Sequence, residues 1–248
     1  MRGGKQMETK DIITIALSSA AFCFSIASFI LSFKQKSMEG RYSLRKSLTD
    51  VVSEISNVNI AFAQLDIDHP NSADQKVVAF RRNYNDQRRY LAYHGAFLAE
   101  QIPDLVNDID CLLIGGAFRA SGNFDCAENY YNLAVSKSVN NSVKMNNIRA
   151  LARYYFVQGN AALGRKYYQE ALQLDIPDTD SVRQVVADTY MLWARVERDC
   201  GYEAESMRLK TLAADAAQRI GHGPLRNGTL QQIDIMFAGD RKEDGNTK

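Results

Sequence analysis

Residues 146–175 read NNIRALARYYFVQGNAALGRKYYQEALQLD, and residues 108–135 read DIDCLLIGGAFRASGNFDCAENYYNLAV. When the two stretches are aligned on their internal glycines, small and aromatic residues coincide along both. The matched positions are Ile114, Gly115, Phe118, Gly122, Ala127, Tyr131 and Ala134 in the earlier stretch and Leu151, Ala152, Tyr155, Gly159, Gly164, Tyr168 and Ala171 in the later one. An internal repeat of this length predicts stacked pairs of helices rather than one globular core.

A third and weaker copy follows, with Trp193, Ala194, Gly201 and Ala213 at corresponding places. Its Ser206 and Lys210 stand where the pattern has a small and an aromatic residue. The turn glycines of the three copies are 37 and then 42 residues apart, so the loops between copies differ in length. The sequence therefore predicts about three helix pairs over residues 104–220.

The alternation of small and aromatic residues resembles that of the tetratricopeptide repeat family. The resemblance implies that the first helix of each pair lines a concave groove that holds an extended peptide of a partner protein. Leu112 and Gly116 stand where relatives that clamp a terminal carboxylate have Lys and Asn, which argues against that mode of binding. A generally acidic segment is the expected ligand. By position, the groove residues would be Arg119, Asn146, Arg149, Arg153, Phe156, Met191, Arg195 and Arg198.

The expected groove is rich in arginine. Arg149 and Arg153 are one helical turn apart and share a helix face, as do Arg195 and Arg198. A guanidinium group presents paired donors that match the two oxygens of a carboxylate or phosphate. The alternative is that these arginines only pair with neighbouring acidic residues, such as Asp188 and Glu197.

Residues 12–33 form a run of 22 residues without a charge, between Lys10-Asp11 and Lys34. A helix of this length crosses a hydrocarbon core of about 30 Å. The other interpretations are a cleaved signal peptide, whose small-x-small cleavage site is missing here, and a buried core helix. The sequence favours an uncleaved transmembrane helix.

Basic residues near the two ends of this run predict its orientation. Three of them precede the run and five follow it, so the larger cluster stays in the cytoplasm, although the opposite orientation remains an alternative. They are Arg2, Lys5 and Lys10 before it, and Lys34, Lys36, Arg41, Arg45 and Lys46 after it. Small residues also recur along one face, from Ser18 to Ser32, and such a seam allows self-association of membrane helices, unless the Ser- and Ala-rich composition produces it by chance.

The segment after the run carries apolar residues in four-three alternation over three heptads: Leu44, Leu48, Val51, Ile55, Val58, Phe62 and Leu65. This seam is typical of a coiled coil, but also of one face of an antiparallel helix pair. A break at residues 66–71, with Asn71 or Ser72 as the next helix cap, and a second apolar helix over about 73–101 favour the pair. Its apolar set is Val78, Tyr90, Leu91, Phe97 and Leu98.

The second helix also carries a basic cluster, Arg81, Arg82, Arg88 and Arg89, interleaved with Tyr84 and Tyr90. Such a cluster could bind anionic lipid or a nucleic-acid backbone. Because Asp86 interrupts it and the net charge of the chain is only +1, a solvated helix face is the favoured interpretation, and nucleic acid is not an expected partner.

The residue composition and the absence of known motifs argue against several classes of function. The four cysteines and three histidines show no metal-ligand spacing, and the chain has no nucleophile, phosphate-loop or metalloprotease motif, so we expect no cofactor, no metal and no enzyme activity. Residues past Gly221 lose the helical pattern. The predicted all-α chain thus comprises a tail (1–11), a transmembrane helix (12–33), a helical hairpin neck (41–102), repeats (104–220) and a partly disordered tail (221–248).

These expectations combine into a functional hypothesis. A single-pass membrane protein with a cytoplasmic helical body would hold a partner protein at the membrane through the groove. A sensor of anionic ligands or nucleic acid, using the cluster from Arg81 to Arg89, is the alternative. Self-association through the transmembrane or neck helix is compatible with either hypothesis.

Overall fold

A computed structural model describes residues 9–70 and 72–238 of the chain. Within these ranges all regular structure is α-helical and no strand occurs, so the all-α prediction is confirmed. The helices are α1 (Thr9–Asp68), α2 (Gln75–Gln101), α3 (Asp108–Ala120), α4 (Phe124–Ser136), α5 (Asn141–Val157), α6 (Ala161–Leu172), α7 (Asp180–Asp199), α8 (Glu203–Gln218) and α9 (Gly223–Phe237).

The first eight helices form four successive antiparallel hairpins, α1/α2, α3/α4, α5/α6 and α7/α8. The second helix of each hairpin packs against the first helix of the next, and the first helices α1, α3, α5 and α7 lie side by side in sequence. Because each hairpin contacts mainly its neighbours, the chain forms a row of helix pairs with one surface made by the first helices.

One turn geometry recurs in three of the hairpins. The backbone φ angle is positive at Gly122, Gly159 and Gly201, at +81°, +73° and +82°. After each glycine the next backbone N–H returns to a carbonyl near the end of the preceding helix, at 2.9 Å from Asn123 to Phe118 and 2.9 Å from Asn160 to Tyr155. This C-terminal motif needs a residue that tolerates positive φ, which explains the glycine of each copy.

Helices within the pairs approach closely at glycines. A Cβ atom placed on Gly164 of α6 would lie 2.4 Å from the Phe156 ring of α5, and one on Gly115 of α3 would lie 3.2 Å from the Tyr130 Cβ of α4. A real side chain at Gly164 would overlap the ring, so the α5/α6 spacing depends on that glycine. Phe156 is accordingly buried in the core and does not line a groove, which corrects its predicted place.

The predicted neck is the first hairpin of the row rather than a separate unit. Leu48 and Ile55 of α1 lie in the same buried cluster as Ile114 and Phe118 of α3. Ion pairs join Arg41 to Asp104 and Arg45 to Asp110, and Asp110 also completes the capping box of α3. The heptad seam of α1 therefore packs inside the chain, against α2 and α3.

The predicted apolar face of α2 is partly wrong. Val78, Tyr90 and Phe97 are 51%, 70% and 59% exposed, whereas the buried residues of this helix are Val77, Arg88, Ala92, Gly95, Leu98 and Ala99. Small residues face α1 and α3 because the hairpin is tightly packed, and the large aromatic residues are left outside. The cap is also different: the Asp74 carboxylate accepts from the Lys76 N–H at 2.8 Å. Asn71 lies outside the described residues.

The expectation that helical structure fades after Gly221 is wrong for residues 223–237. There α9 begins at a His222 cap, with proline in its first turn, and packs on α7 and α8 through Thr229, Ile233 and Phe237. The spacing of four residues places these three side chains on one face. In the sequence, Thr229 interrupts the apolar pattern and the Asn227-Gly228 pair is typical of a turn, so this face was not recognised as helical. The remainder of the predicted tail, residues 239–248, lies outside the described residues.

The predicted membrane helix falls on the amino-terminal part of α1. The side chains of residues 9–27, 30 and 33 lie outside the described part of the chain, and Phe29 and Leu31 are 71% and 67% exposed. Among the residues that were described, none of the helices combines the length and the apolar character needed to cross a membrane.

The close contact at Gly164 yields a prediction. We expect Gly164→Ala to lower the free energy of unfolding by about 1–3 kcal/mol, because the added methyl group overlaps the buried Phe156 ring. Urea unfolding followed by far-UV circular dichroism measures the effect. The control is Gly228→Ala in α9, where no atom lies within 4 Å of the new methyl group, and where we expect no loss of stability. Equal effects of the two substitutions would contradict the proposed spacing role.

Candidate ligand groove

A cavity of about 270 Å³ opens on the surface made by the first helices of the pairs. We call it the arginine groove, after Arg119 of α3 and Arg149 and Arg153 of α5. Its lining residues are Arg119, Tyr131, Asn146, Arg149, Ala150, Arg153, Tyr154, Tyr168 and Leu192. The structure thus brings together four of the eight predicted groove residues: Arg119, Asn146, Arg149 and Arg153.

The other four predicted groove residues lie elsewhere. Phe156 and Met191 are buried with the core of α7 and α8. Arg195 is exposed, with its Nε atom 3.9 Å from Asp199. Arg198 stacks over the Phe237 ring at 5.2 Å and donates to the Met236 carbonyl. The helix α9, which the sequence analysis missed, occupies the place beside α7 where Arg198 was expected to be open to a ligand.

Arg149 is held in the groove by one hydrogen bond. Its Nη1 atom donates to the Asn146 Oδ1 atom at 3.0 Å, while its buried Nε atom has no hydrogen-bond partner. Burial lowers the pKa of this guanidinium group, and the nearby Asp188 carboxylate partly offsets that effect. Apart from the bond to Asn146, the guanidinium group of Arg149 therefore forms no hydrogen bond to the described chain.

Asp188 of α7 is the acidic counterpart of Arg149. The two side chains interact electrostatically, yet they form no ion pair, and the Asp188 Oδ1 atom is buried without a hydrogen-bond partner. Burial raises the pKa of this carboxyl group above its usual value. Two unsatisfied polar groups of opposite charge therefore face the boundary between α5 and α7.

The charge in the groove is not balanced internally. In the described part of the chain, Arg119 and Arg153 form no ion pair. Glu197, which the sequence analysis offered as an acidic partner of the groove arginines, binds other residues. Glu197 accepts from Arg165 at 2.8 and 2.7 Å and from the Trp193 Nε1 atom at 2.8 Å. Three guanidinium groups therefore line the groove. The carboxylates next to it are Asp188, beside Arg149, and Glu128, which accepts from the Tyr154 hydroxyl group at 3.5 Å. The excess positive charge favours an anionic ligand.

Phenol rings make up the walls of the groove. Tyr131 and Tyr154 have ring centroids 5.5 Å apart, and Tyr168 stacks on Trp193 at 5.4 Å. Burial is the main cause that raises the pKa of Tyr154 and of Tyr168 to about 12, so both phenols stay neutral near pH 7. The lining of the groove therefore combines neutral phenol groups with guanidinium groups.

The basic cluster of α2 is mostly used within the first hairpin. Arg81 donates to Asp66 at 2.9 Å and to the His69 carbonyl at 2.7 Å, which closes the turn between α1 and α2. Arg88 is buried, stacks over the Phe62 ring at 4.0 Å and donates to Asn59 at 2.9 Å. Arg89 donates to the Ser121 carbonyl at 3.3 Å. Three of the four arginines in the cluster therefore have partners within the chain.

The described cysteines differ in exposure: Cys111 is buried, Cys126 is half-buried and Cys200 is exposed. Burial raises the pKa of Cys111 to about 12, so this thiol stays protonated and unreactive near pH 7. Among those residues no group of three or more His, Cys, Asp or Glu side chains could hold a metal ion.

Comparisons with known proteins add one weak similarity. No family model and no curated protein matches the chain. The crystal structure of BtubC (BKLC) from P. vanneervenii is similar at 16% identity and a TM-score of 0.40, over 81% of this chain and 95% of that one. The class of protein defined here, an all-helical row of hairpins with an arginine-rich surface groove, therefore rests on this chain's own geometry.

The basic cluster generates a second prediction. We expect Arg88→Ala to lower the free energy of unfolding by about 2 kcal/mol, because it removes the ring contact with Phe62 and leaves Asn59 without its partner. The control is Arg82→Ala, an exposed position in the same helix, which should change stability by less than about 0.5 kcal/mol. Thermal or urea unfolding measures both. If both variants unfold like the unchanged chain, Arg88 has no structural role.

Proposed function

We propose that this protein is a membrane-anchored scaffold that binds an acidic segment of a partner protein in the arginine groove. The observation that carries the proposal is that Arg119, Arg149 and Arg153 line one cavity and form no ion pair within the described chain. Arginines that serve only packing or stability have acidic or carbonyl partners within the chain, as Arg81 and Arg165 do here. The groove arginines form no direct hydrogen bond to a carboxylate of the described chain, and a carboxylate-bearing ligand would supply one.

Several features support a protein ligand in particular. Consecutive hairpins with a repeated Gly turn resemble the tetratricopeptide pattern, whose concave surface holds extended peptides. The groove crosses α3, α5 and the edge of α7, so an extended segment contacts three successive hairpins. Its volume is below that of most small-molecule pockets, which suits a side chain of a longer ligand better than a whole metabolite.

The membrane anchor rests on the uncharged run of residues 12–33. The run continues without a helix break into the part of α1 that packs in the body, so the anchor and the body would share one helix. The basic residues that follow the run favour a cytoplasmic body. The alternative function, a sensor that uses the basic cluster of α2, has less support, because only Arg82 of that cluster is free of a structural partner in the described chain.

The groove is tested with hexaglutamate labelled with a fluorophore and with the full chain in detergent micelles. We expect the double variant Arg149→Glu and Arg153→Glu to weaken binding at least about tenfold, since each lost charge-assisted hydrogen bond contributes about 1.5–3 kcal/mol. Fluorescence anisotropy measures the affinity.

A control with the same change of charge separates the groove from bulk electrostatics. The double variant Arg82→Glu and Lys166→Glu alters two exposed residues outside the groove. We expect it to bind hexaglutamate within about threefold of the unchanged chain, because surface charges are largely screened at physiological salt. Equal losses in the two double variants would show that the groove is not the binding site.

The anchor is tested by fractionation. We expect the full chain to stay in the membrane pellet after extraction at alkaline pH, because an apolar span is not held by charge. A chain without residues 1–36 should be released into the soluble fraction, while high salt alone should not release the full chain. Extraction of the full chain at alkaline pH would contradict a spanning helix.

A further inference from the structure

We propose that the exposed side of α1 between Leu31 and Tyr42 pairs with the same side of a second copy of this chain, as two parallel helices in register. The inference is independent of the arginine groove. From the proposed function it takes only the anchor, which gives both copies the same orientation in one membrane.

The first observation is an unpacked stretch of helix. Every residue from 34 to 43 of α1 is exposed, whereas Leu48, Val51 and Ile55 further along the same helix are buried in the core. A helix of this length that packs on nothing is marginal in water, because most helical stability in proteins comes from packing. The exposed stretch therefore favours a partner outside the described chain.

An apolar stripe runs along one side of this stretch. Leu31, Met38 and Tyr42 are 67%, 45% and 65% exposed and share one helix face. They belong to an open hollow of about 540 Å³ on the side of the helix. The hollow is lined by Leu31, Lys34, Gln35, Met38, Glu39 and Tyr42. Apolar residues that are exposed together on one face are typical of an interaction surface.

The stripe faces away from the helical body. At about 100° per residue, its three apolar residues lie roughly 130° around α1 from the face that packs in the core. That core face carries Leu44, Leu48, Val51 and Ile55. Two copies can therefore join through the stripe while each body stays on the outer side of the pair.

The charges beside the stripe are complementary between two parallel copies. If Gln35 and Tyr42 are the a positions of a heptad and Met38 is a d position, then Lys34 is a g position and Glu39 is the next e position. In a parallel pair of helices each g residue faces the e residue of the partner in the following heptad, where Lys and Glu form an ion pair. Lys34 of each copy therefore faces Glu39 of the other.

Both charged groups are available for this pairing. In the described chain Lys34 forms no ion pair, and Glu39 accepts a hydrogen bond from the neutral Gln35 side chain at 3.1 Å. Gln35 itself favours one alignment, because a single polar residue at an a position specifies the register of a coiled coil. In the parallel pair, the Gln35 amide groups of the two copies meet and can hydrogen-bond to each other.

Lipid does not cover this side of the helix. Tyr42 lies about 13 Å along α1 beyond residue 33, where the uncharged run ends, whereas the headgroup region on each side of a bilayer is about 5–8 Å deep. A second copy anchored in the same membrane supplies both the apolar stripe and the matching charges. The second copy is therefore the occupant that the charge pattern favours.

The pair is tested with the full chain in liposomes, by Förster transfer between donor- and acceptor-labelled copies over a series of lipid dilutions. The labels are attached to the exposed Cys200 in chains whose Cys23 and Cys126 are replaced by serine. We expect Lys34→Glu alone, or Glu39→Lys alone, to weaken dimerisation about tenfold, because each change turns two attractive contacts into two repulsive ones.

Two further variants separate this contact from general charge effects. The double variant Lys34→Glu and Glu39→Lys restores both pairs with their signs exchanged, so its dissociation constant should return to within about threefold of the unchanged chain. Lys36→Glu makes the same change of charge on the opposite side of the same stretch, and should also stay within about threefold.

Disulfide formation tests the geometry of the pair. In a full chain whose Cys23, Cys126 and Cys200 are replaced by serine, Met38→Cys places a thiol on the stripe and Ser37→Cys places one on the neighbouring residue, away from it. We expect mild oxidation in liposomes to cross-link the Met38→Cys chain into dimers and to leave the Ser37→Cys chain monomeric, because a disulfide needs Cα atoms within about 7 Å.

Loss of dimerisation in the single variants, with recovery in the double variant, supports the inference. A dimer that none of the charge variants changes forms through another surface, such as the small residues of the uncharged run, and overturns the inference. A double variant as weak as the single ones overturns it as well. Liposome flotation of the same samples reports the anchor separately. A chain that floats with the liposomes and stays monomeric overturns the pair alone, whereas a chain that does not float contradicts the proposed anchor.

Discussion

The close approach of helices at single small residues is the constraint on which the rest of the structure depends. At Gly164 the α5/α6 pair has no room for a methyl group beside Phe156, and at Gly115 the α3/α4 pair has little more. Such contacts fix the distance within each hairpin, and the Gly turns fix how the chain reverses. The side-by-side order of the first helices follows from these two local rules, and the arginine groove is a feature of that order.

The repeat made the helical hairpins predictable from the sequence, because the copies share a turn glycine and small residues at the contact between the paired helices. Gly122 and Gly159 mark the turns in the sequence, and both have the positive φ that their place predicts. The face of α2 was not predictable in this way. Its partners are α1 and α3, and tight packing selected Ala92 and Gly95 over Tyr90 and Phe97. A hydrophobicity pattern cannot express that choice, because it ranks the aromatic residues above alanine and glycine.

The groove residues likewise divide into those that the repeat pattern predicted and those that depend on packing between helices. Position within a repeat sufficed to place Arg119, Asn146, Arg149 and Arg153 on one surface. The prediction for the third copy failed at Arg198 because α9 packs on α7 there. The apolar face of α9 is interrupted by Thr229, which made this helix hard to predict. No single-sequence pattern distinguishes an arginine that faces a ligand from one that faces another helix. Arg198 carries the same charge as Arg153, yet it packs on Phe237.

Core packing also connects the groove to the amino-terminal helix. The cluster that contains Leu48 of α1 includes Leu151 and Tyr154 of α5, so the helix that carries Arg149 is fixed to the helix that carries the proposed anchor. A second cluster joins α7, α8 and α9, and it meets the first beside Phe156 and Tyr168. Arg149 and Asp188 lie on either side of this boundary. The arginine groove crosses this boundary, because its lining includes Tyr154 of the first cluster and Tyr168 of the second.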